Sequence, residues 1–196
     1  TEQIQPILNA KCISCHTDKS KVGNGDSIVD TTGATAIIPK ESQWQYKDTY
    51  PGSGWETSGF NSSSWPTAQA PFGIGGIAKT AWNTQQIYMR KTFNVTSAML
   101  TNKKLVLQFI HDEDCIVYIN GVKVSDRPGY ITGYQNIVLG PTDAVLQVGT
   151  NTIAVYCKDR TGGRMIDASL LNCNVTGSPV SLKGDVTLQG SGAIFD

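Results

Sequence analysis

The chain has 196 residues, 39% hydrophobic and 16% charged, and its 16 Lys and Arg balance 16 Asp and Glu for a formal net charge of zero. That balance excludes a nucleic-acid binder or an anionic-membrane surface binder, since both need surplus cations to neutralise phosphates or headgroups. No window holds the roughly 18 consecutive apolar residues of a membrane helix, and the length suits one β domain with short extensions.

In chain order, Thr1 rather than Met opens the sequence, as after removal of an export signal, so an extracytoplasmic location is expected: periplasmic, cell-surface or extracellular. Residues 1–16 read as a short helix, with Ile4, Ile7, Leu8 and Cys12 at helical spacing and Pro6 tolerated in a first turn. The polar stretch that follows, broken by Gly23, Gly25 and Gly33, reads as a linker, so that residues 1–35 form an arm.

From Ala36 the pattern changes to short β segments punctuated by Gly, Pro, Asn and Asp. Ile87 to Phe93, Lys104 to His111, Cys115 to Asn120 and Thr152 to Lys158 mix β-branched, aromatic and aliphatic residues in strand-length runs. Asn120-Gly121 carries the strongest turn signal, because both residues tolerate the positive φ of a type I′ hairpin joining Ile116–Ile119 to Val122–Val124. Strands without helical interludes predict an antiparallel sandwich over residues 36–175. The tail, residues 176–196, holds another alternating run at Val180, Leu182, Val186 and Leu188.

Cys12-Ile13-Ser14-Cys15-His16 has the C-x-x-C-H spacing of c-type haem attachment, in which two thiols add to the vinyl groups and the next histidine supplies an axial nitrogen. Cys12, Cys15 and His16 are therefore the predicted cofactor-binding residues, with one covalent haem c as cofactor. A redox disulfide, a zinc site and a structural disulfide are the competing readings of the same residues. For a second axial ligand the choices are His111, a methionine among Met89, Met99 and Met165, an open position, or a ligand from a neighbour. The run from Ile4 to His16 resembles the start of a c-type cytochrome domain, and the resemblance covers about 16 residues before the β grammar begins.

The β region resembles the galactose-binding-like jelly-roll domains attached to bacterial glycoside hydrolases and other exported proteins. The matching stretches include Pro39 to Tyr46, Gly59 to Trp65, Ala70 to Gly73, Asp112 to Gly121, Gly149 to Val155 and Gly162 to Asp167. What the resemblance implies is an all-β jelly-roll sandwich with Trp44 and Trp65 in the core, and variable loops that bind sugar in some members only. Trp55, Trp65, Trp82 and Tyr130 are the residues a sugar-stacking site would recruit, with Trp55 and Trp82, flanked by Gly, Thr and Asn, the better choices.

Asp112, Glu113 and Asp114 could hold calcium through hard oxygen ligands or be a solvated turn. Cys115, Cys157 and Cys173 allow three pairings that the sequence does not rank, and the competing reading makes all three small buried hydrophobes. With two histidines, and no Gly-rich phosphate loop before a helix, the sequence offers no hydrolase constellation and predicts no catalytic residue.

The leading expectation is thus an exported monohaem electron-transfer protein, not an enzyme, whose haem arm packs on a sandwich and which meets a redox partner protein. A homo-oligomer or filament could form through the arm and the tail strand. The alternative expectation is a carbohydrate-binding or adhesive module of an exported system.

Overall fold

The computed structural model describes residues 31–100, 103–139 and 145–174. The predicted helix of residues 1–16 and the alternating run at Val180–Leu188 lie outside them, as do the arm and tail to which they belong.

Twelve strands and one helical turn follow in order among the described residues: β1 (Thr35–Ile38), β2 (Gln43–Lys47), β3 (Thr67–Gln69), β4 (Phe72–Gly73), β5 (Thr80–Ala81), β6 (Gln86–Val95), α1 (Ser97–Leu100), β7 (Lys103–Asp112), β8 (Asp114–Ile119), β9 (Val122–Arg127), β10 (Gln135–Val138), β11 (Gly149–Lys158) and β12 (Met165–Asn174). They make two six-stranded sheets. The first runs β10-β7-β12-β4-β5, with β1 also paired to β12, and the second runs β3-β2-β6-β11-β8-β9. All pairings are antiparallel except β4 with β5. The antiparallel all-β sandwich expected from the sequence is what forms.

Period-two alternation decides which side chains meet. On β7, Leu105, Leu107, Phe109 and His111 share one face, registered against Asn172, Leu170, Ala168 and Ile166 of β12. On the second sheet Ile87, Met89 and Phe93 of β6 share a face with Ile153, Val155 and Cys157 of β11 and Cys115, Val117 and Ile119 of β8. The two inner faces, with Trp44, Phe72 and Trp82, merge into one core. Burying each large apolar side chain there contributes about 1.5–3 kcal/mol.

The Asn120-Gly121 turn forms as predicted, with φ of 51° and 85°. Asn120 also ties the turn to its surroundings: its Nδ2 donates to the Val145 carbonyl at 2.7 Å and to Asn151 Oδ1 at 2.8 Å, and its Oδ1 accepts from the Thr152 amide at 2.8 Å. The hairpin is thereby held against the start of β11.

Candidate functional site

The outward positions of the second sheet line up in rows across its strands. One row holds Gln45 of β2, Arg90 of β6, Ala154 of β11 and Tyr118 of β8; the next holds Lys47, Tyr88, Tyr156 and Ile116; a third holds Gln86, Lys158 and Asp114.

The first row is roofed by residues 48–66. Trp55 and Trp65, 6% and 8% exposed, pack with Tyr88 and Ala154 into a second apolar cluster to which Phe60, Tyr118 and Tyr156 also belong. Arg90 fastens this roof. Its Nη1 donates to the Trp55 carbonyl, Nη2 to the Phe60 carbonyl at 3.4 Å, and Nε to Ser62 Oγ at 3.4 Å. The Gln45 amide closes the other side, donating to the Ser62 carbonyl at 3.0 Å and accepting from Ser62 Oγ at 2.8 Å. Burial lowers the Arg90 pKa, and backbone carbonyls replace the water its guanidinium gives up.

The second row is half-open at Lys47, Tyr156 and Ile116, while Tyr88 between them is buried. Tyr50, 59% exposed, stands at the edge of the roof with its ring 6.0 Å from Tyr88, and Tyr88 lies 5.0 Å from the half-buried Tyr156. Trp55 of the roof meets Tyr88 at 5.0 Å and Tyr118 at 5.9 Å, both in edge-to-face geometry. The Tyr88 hydroxyl donates to Gln86 Oε1 at 3.1 Å. Burial and the neighbouring Tyr156 push the Tyr88 pKa up to about 12, so its ring is uncharged across the physiological range. The exposed Tyr50 and half-buried Tyr156, rimmed by amide and ammonium groups, here Gln86, Lys47 and Lys158, offer ring faces to C–H surfaces and donors to hydroxyls.

At the end of the sandwich where β7 gives way to β8, charges pair with one another. Asp114 Oδ1 accepts from the Gly129 amide at 2.9 Å, and its Oδ2 accepts from Arg160 at 2.9 and 2.6 Å. Those bonds, the Gly129 amide foremost, hold its carboxyl below the usual range. Arg164 Nε donates to Asp159 Oδ2 at 2.7 Å. Burial, helped by Glu113 and Asp159, raises the Asp112 pKa.

These placements correct several expectations. Trp55 and Trp82 are not surface platforms: they are 6% and 2% exposed. The Trp82 indole donates to Thr84 Oγ1 and the Gln86 carbonyl, each at 3.1 Å. Trp44 and Trp65 are buried, as the resemblance implied, Trp65 in the roof rather than between the sheets. Of the four predicted stacking residues only Tyr130, 68% exposed, stands in solvent.

The calcium expectation is overturned as well. The Asp114 carboxylate is occupied by an amide and a guanidinium, and among the described residues no group of three or more His, Cys, Asp or Glu could hold a metal ion. His111 is 1% exposed, its ring stacked on Phe109 at 4.9 Å and its Nδ1 against the Glu113 carbonyl, so it serves the interior. Met165 is half-buried on β12, in register with Asp112 and Gly73. Cys12, Cys15 and His16 lie outside the described residues.

No family model matches the chain, and no curated protein does. Solved structures do. A β-glycosidase from Bacteroides vulgatus is 25% identical with a TM-score of 0.53, over 71% of this chain and 20% of that one. A glycosyl hydrolase family 2 member from Bacteroides cellulosilyticus matches at 18% identity and TM-score 0.54, over 72% of this chain and 21% of that one. A β-glucuronidase from Bacteroides uniformis matches at 19% identity and TM-score 0.56, over 72% and 18%.

The chain thus spans about a fifth of the length of these enzymes. The likeness is one of fold: the described residues form an all-β antiparallel sandwich similar to a segment of each of these enzymes. It also overturns the electron-transfer reading, since the described fold is similar to segments of carbohydrate-processing enzymes and brings together no metal-ligating cluster among the described residues. The haem cofactor, the redox partner and the classification as a non-enzymatic electron carrier fall with that reading.

Tyr50, Tyr88 and Tyr156 were missed by the sequence reading. Yet Tyr88 sits between Ile87 and Met89, and Tyr156 between Val155 and Cys157, all four of which face inward. Strict alternation therefore already put both tyrosines on the opposite face.

Proposed function

We propose that this chain is a carbohydrate-recognition domain of an extracytoplasmic glycan-processing system, and that it contacts sugar through the open tyrosine row of its second sheet. The observation that carries this reading is the exposed Tyr50 and the half-buried Tyr156, each in ring contact with the buried Tyr88, against which Trp55 packs. A pyranose stacked on Tyr156 and Tyr50 would place its equatorial hydroxyls toward Gln86, Lys47 and Lys158. The likeness to sandwich segments of glycoside hydrolases supports the same class of ligand. Tyr130, exposed after β9 and outside this row, supplies a control position.

Native affinity electrophoresis against a panel of soluble polysaccharides tests the proposal. Retardation by at least one polysaccharide is expected, with Tyr156→Ala and Tyr50→Ala each weakening it about tenfold, the loss of one ring contact of ~1.4 kcal/mol. Tyr130→Ala should leave it unchanged. Failure of every polysaccharide to retard the protein, or equal retardation of the wild type and both variants, would overturn the assignment.

A further inference from the structure

Cys115 and Cys157 are direct register partners on β8 and β11. Both are fully buried free thiols on the inward face of the second sheet. Cys173 belongs to the other sheet, opposite Lys104, so the register ranks the three pairings that the sequence left equal. Opposed residues in an antiparallel ladder have Cα atoms about 4.5 or 5.5 Å apart, and both spacings fall inside the roughly 4.4–6.8 Å that a disulfide spans.

We propose that Cys115 and Cys157 close a cross-strand disulfide that staples β8 to β11 directly behind the tyrosine row. The adjoining residues Ile116 and Tyr156 face outward in that row, so the bond would lie one residue away, on the opposite side of the sheet. The oxidant is a low-molecular-weight disulfide such as oxidised glutathione. One cysteine thiolate attacks a sulfur of the oxidant and expels a thiolate, forming a mixed disulfide; the second cysteine thiolate then attacks the protein sulfur and expels the other half. The two cysteines lose two protons and two electrons, and the oxidant leaves as two thiols.

Timing follows from burial. In the folded chain burial, and then the adjacent Cys115, push the Cys157 thiol well above its ordinary range, and exchange requires the thiolate. The bond therefore forms while the β8–β11 ladder is still closing, and the finished core then shields it from reductants.

The test is refolding of the reduced full chain in a glutathione redox buffer, followed by alkylation and peptide mapping under denaturing conditions. The expected product is a peptide linking Cys115 to Cys157, with a thermal midpoint about 5–10 °C above that of protein reduced with dithiothreitol in denaturant and refolded without oxidant. Cys157→Ala should abolish both the linked peptide and the redox-dependent shift. Recovery of Cys115 and Cys157 as separately alkylated thiols, as separate glutathione adducts, or joined to another cysteine would overturn the pairing. A linked protein whose midpoint equals that of the protein reduced in denaturant and refolded without oxidant would overturn the staple.

Discussion

Arg90 is the residue on which the roof over the second sheet depends, because one guanidinium serves the carbonyls of Trp55 and Phe60 and the Ser62 hydroxyl. Arg90→Met keeps much of the side-chain volume and removes those donors, leaving carbonyls under the roof without them. A loss of about 2–3 kcal/mol is expected in urea unfolding, with a red-shifted tryptophan emission as Trp55 and Trp65 meet water.

Asp114 gives a pH signature at the same scale. Its folded pKa lies below the ordinary 3.8, so its stabilisation is fully present above pH 3.8 and disappears as pH falls through the folded value. The gap in urea midpoint between wild type and Asp114→Asn should accordingly be constant near neutrality and close in acid; a gap that widens on acidification would contradict the assignment. Individual side chains were also where the sequence misled. The polar neighbours of Trp55 and Trp82 suggested surface positions, but a loop folded back on a sheet buries its aromatics wherever a cation or a carbonyl waits beneath.

The strands were largely legible because alternation survives in β6, β7, β8 and β11, and because Asn120-Gly121 has few alternatives to a tight hairpin. What escaped were close approaches that no periodicity encodes. A Cβ at Gly73 would lie 2.2 Å from the Arg164 carbonyl oxygen, where β4 packs against the start of β12. At Gly121, with φ of 85°, a Cβ would sit 3.1 Å from the Thr57 methyl. Backbone cannot step aside as a side chain can. Gly73→Ala is expected to cost about 2 kcal/mol or more and Gly121→Ala about 1 kcal/mol, an order that chemical denaturation of the two variants would check.

For the whole molecule, the sandwich could be read from the density of short strands and from the resemblance to jelly-roll domains, while the cytochrome reading rested on five residues, Cys12 to His16, outside the described region. A short motif states what a segment could do; it says nothing of the 144 positions from 31 to 174 among which the described fold lies. The tyrosine row was hidden for a related reason, since Tyr50 comes from the loop between β2 and β3 whereas Tyr88 and Tyr156 come from β6 and β11. Only the sheet brings the three together.

The pairing of β1 with β12 sets Thr35 opposite Asn172, so the sandwich starts and finishes side by side. Such a body can be spliced into a host loop while parting the host's backbone by little more than the width of one strand pair. The same adjacency allows the order of its strands in the gene to be rotated. A circular permutant of residues 31–174, with a short Gly-Ser bridge joining position 174 to position 31 and reopened at the exposed Gly75-Gly76, is expected to match the unpermuted 31–174 domain in circular dichroism and tryptophan emission.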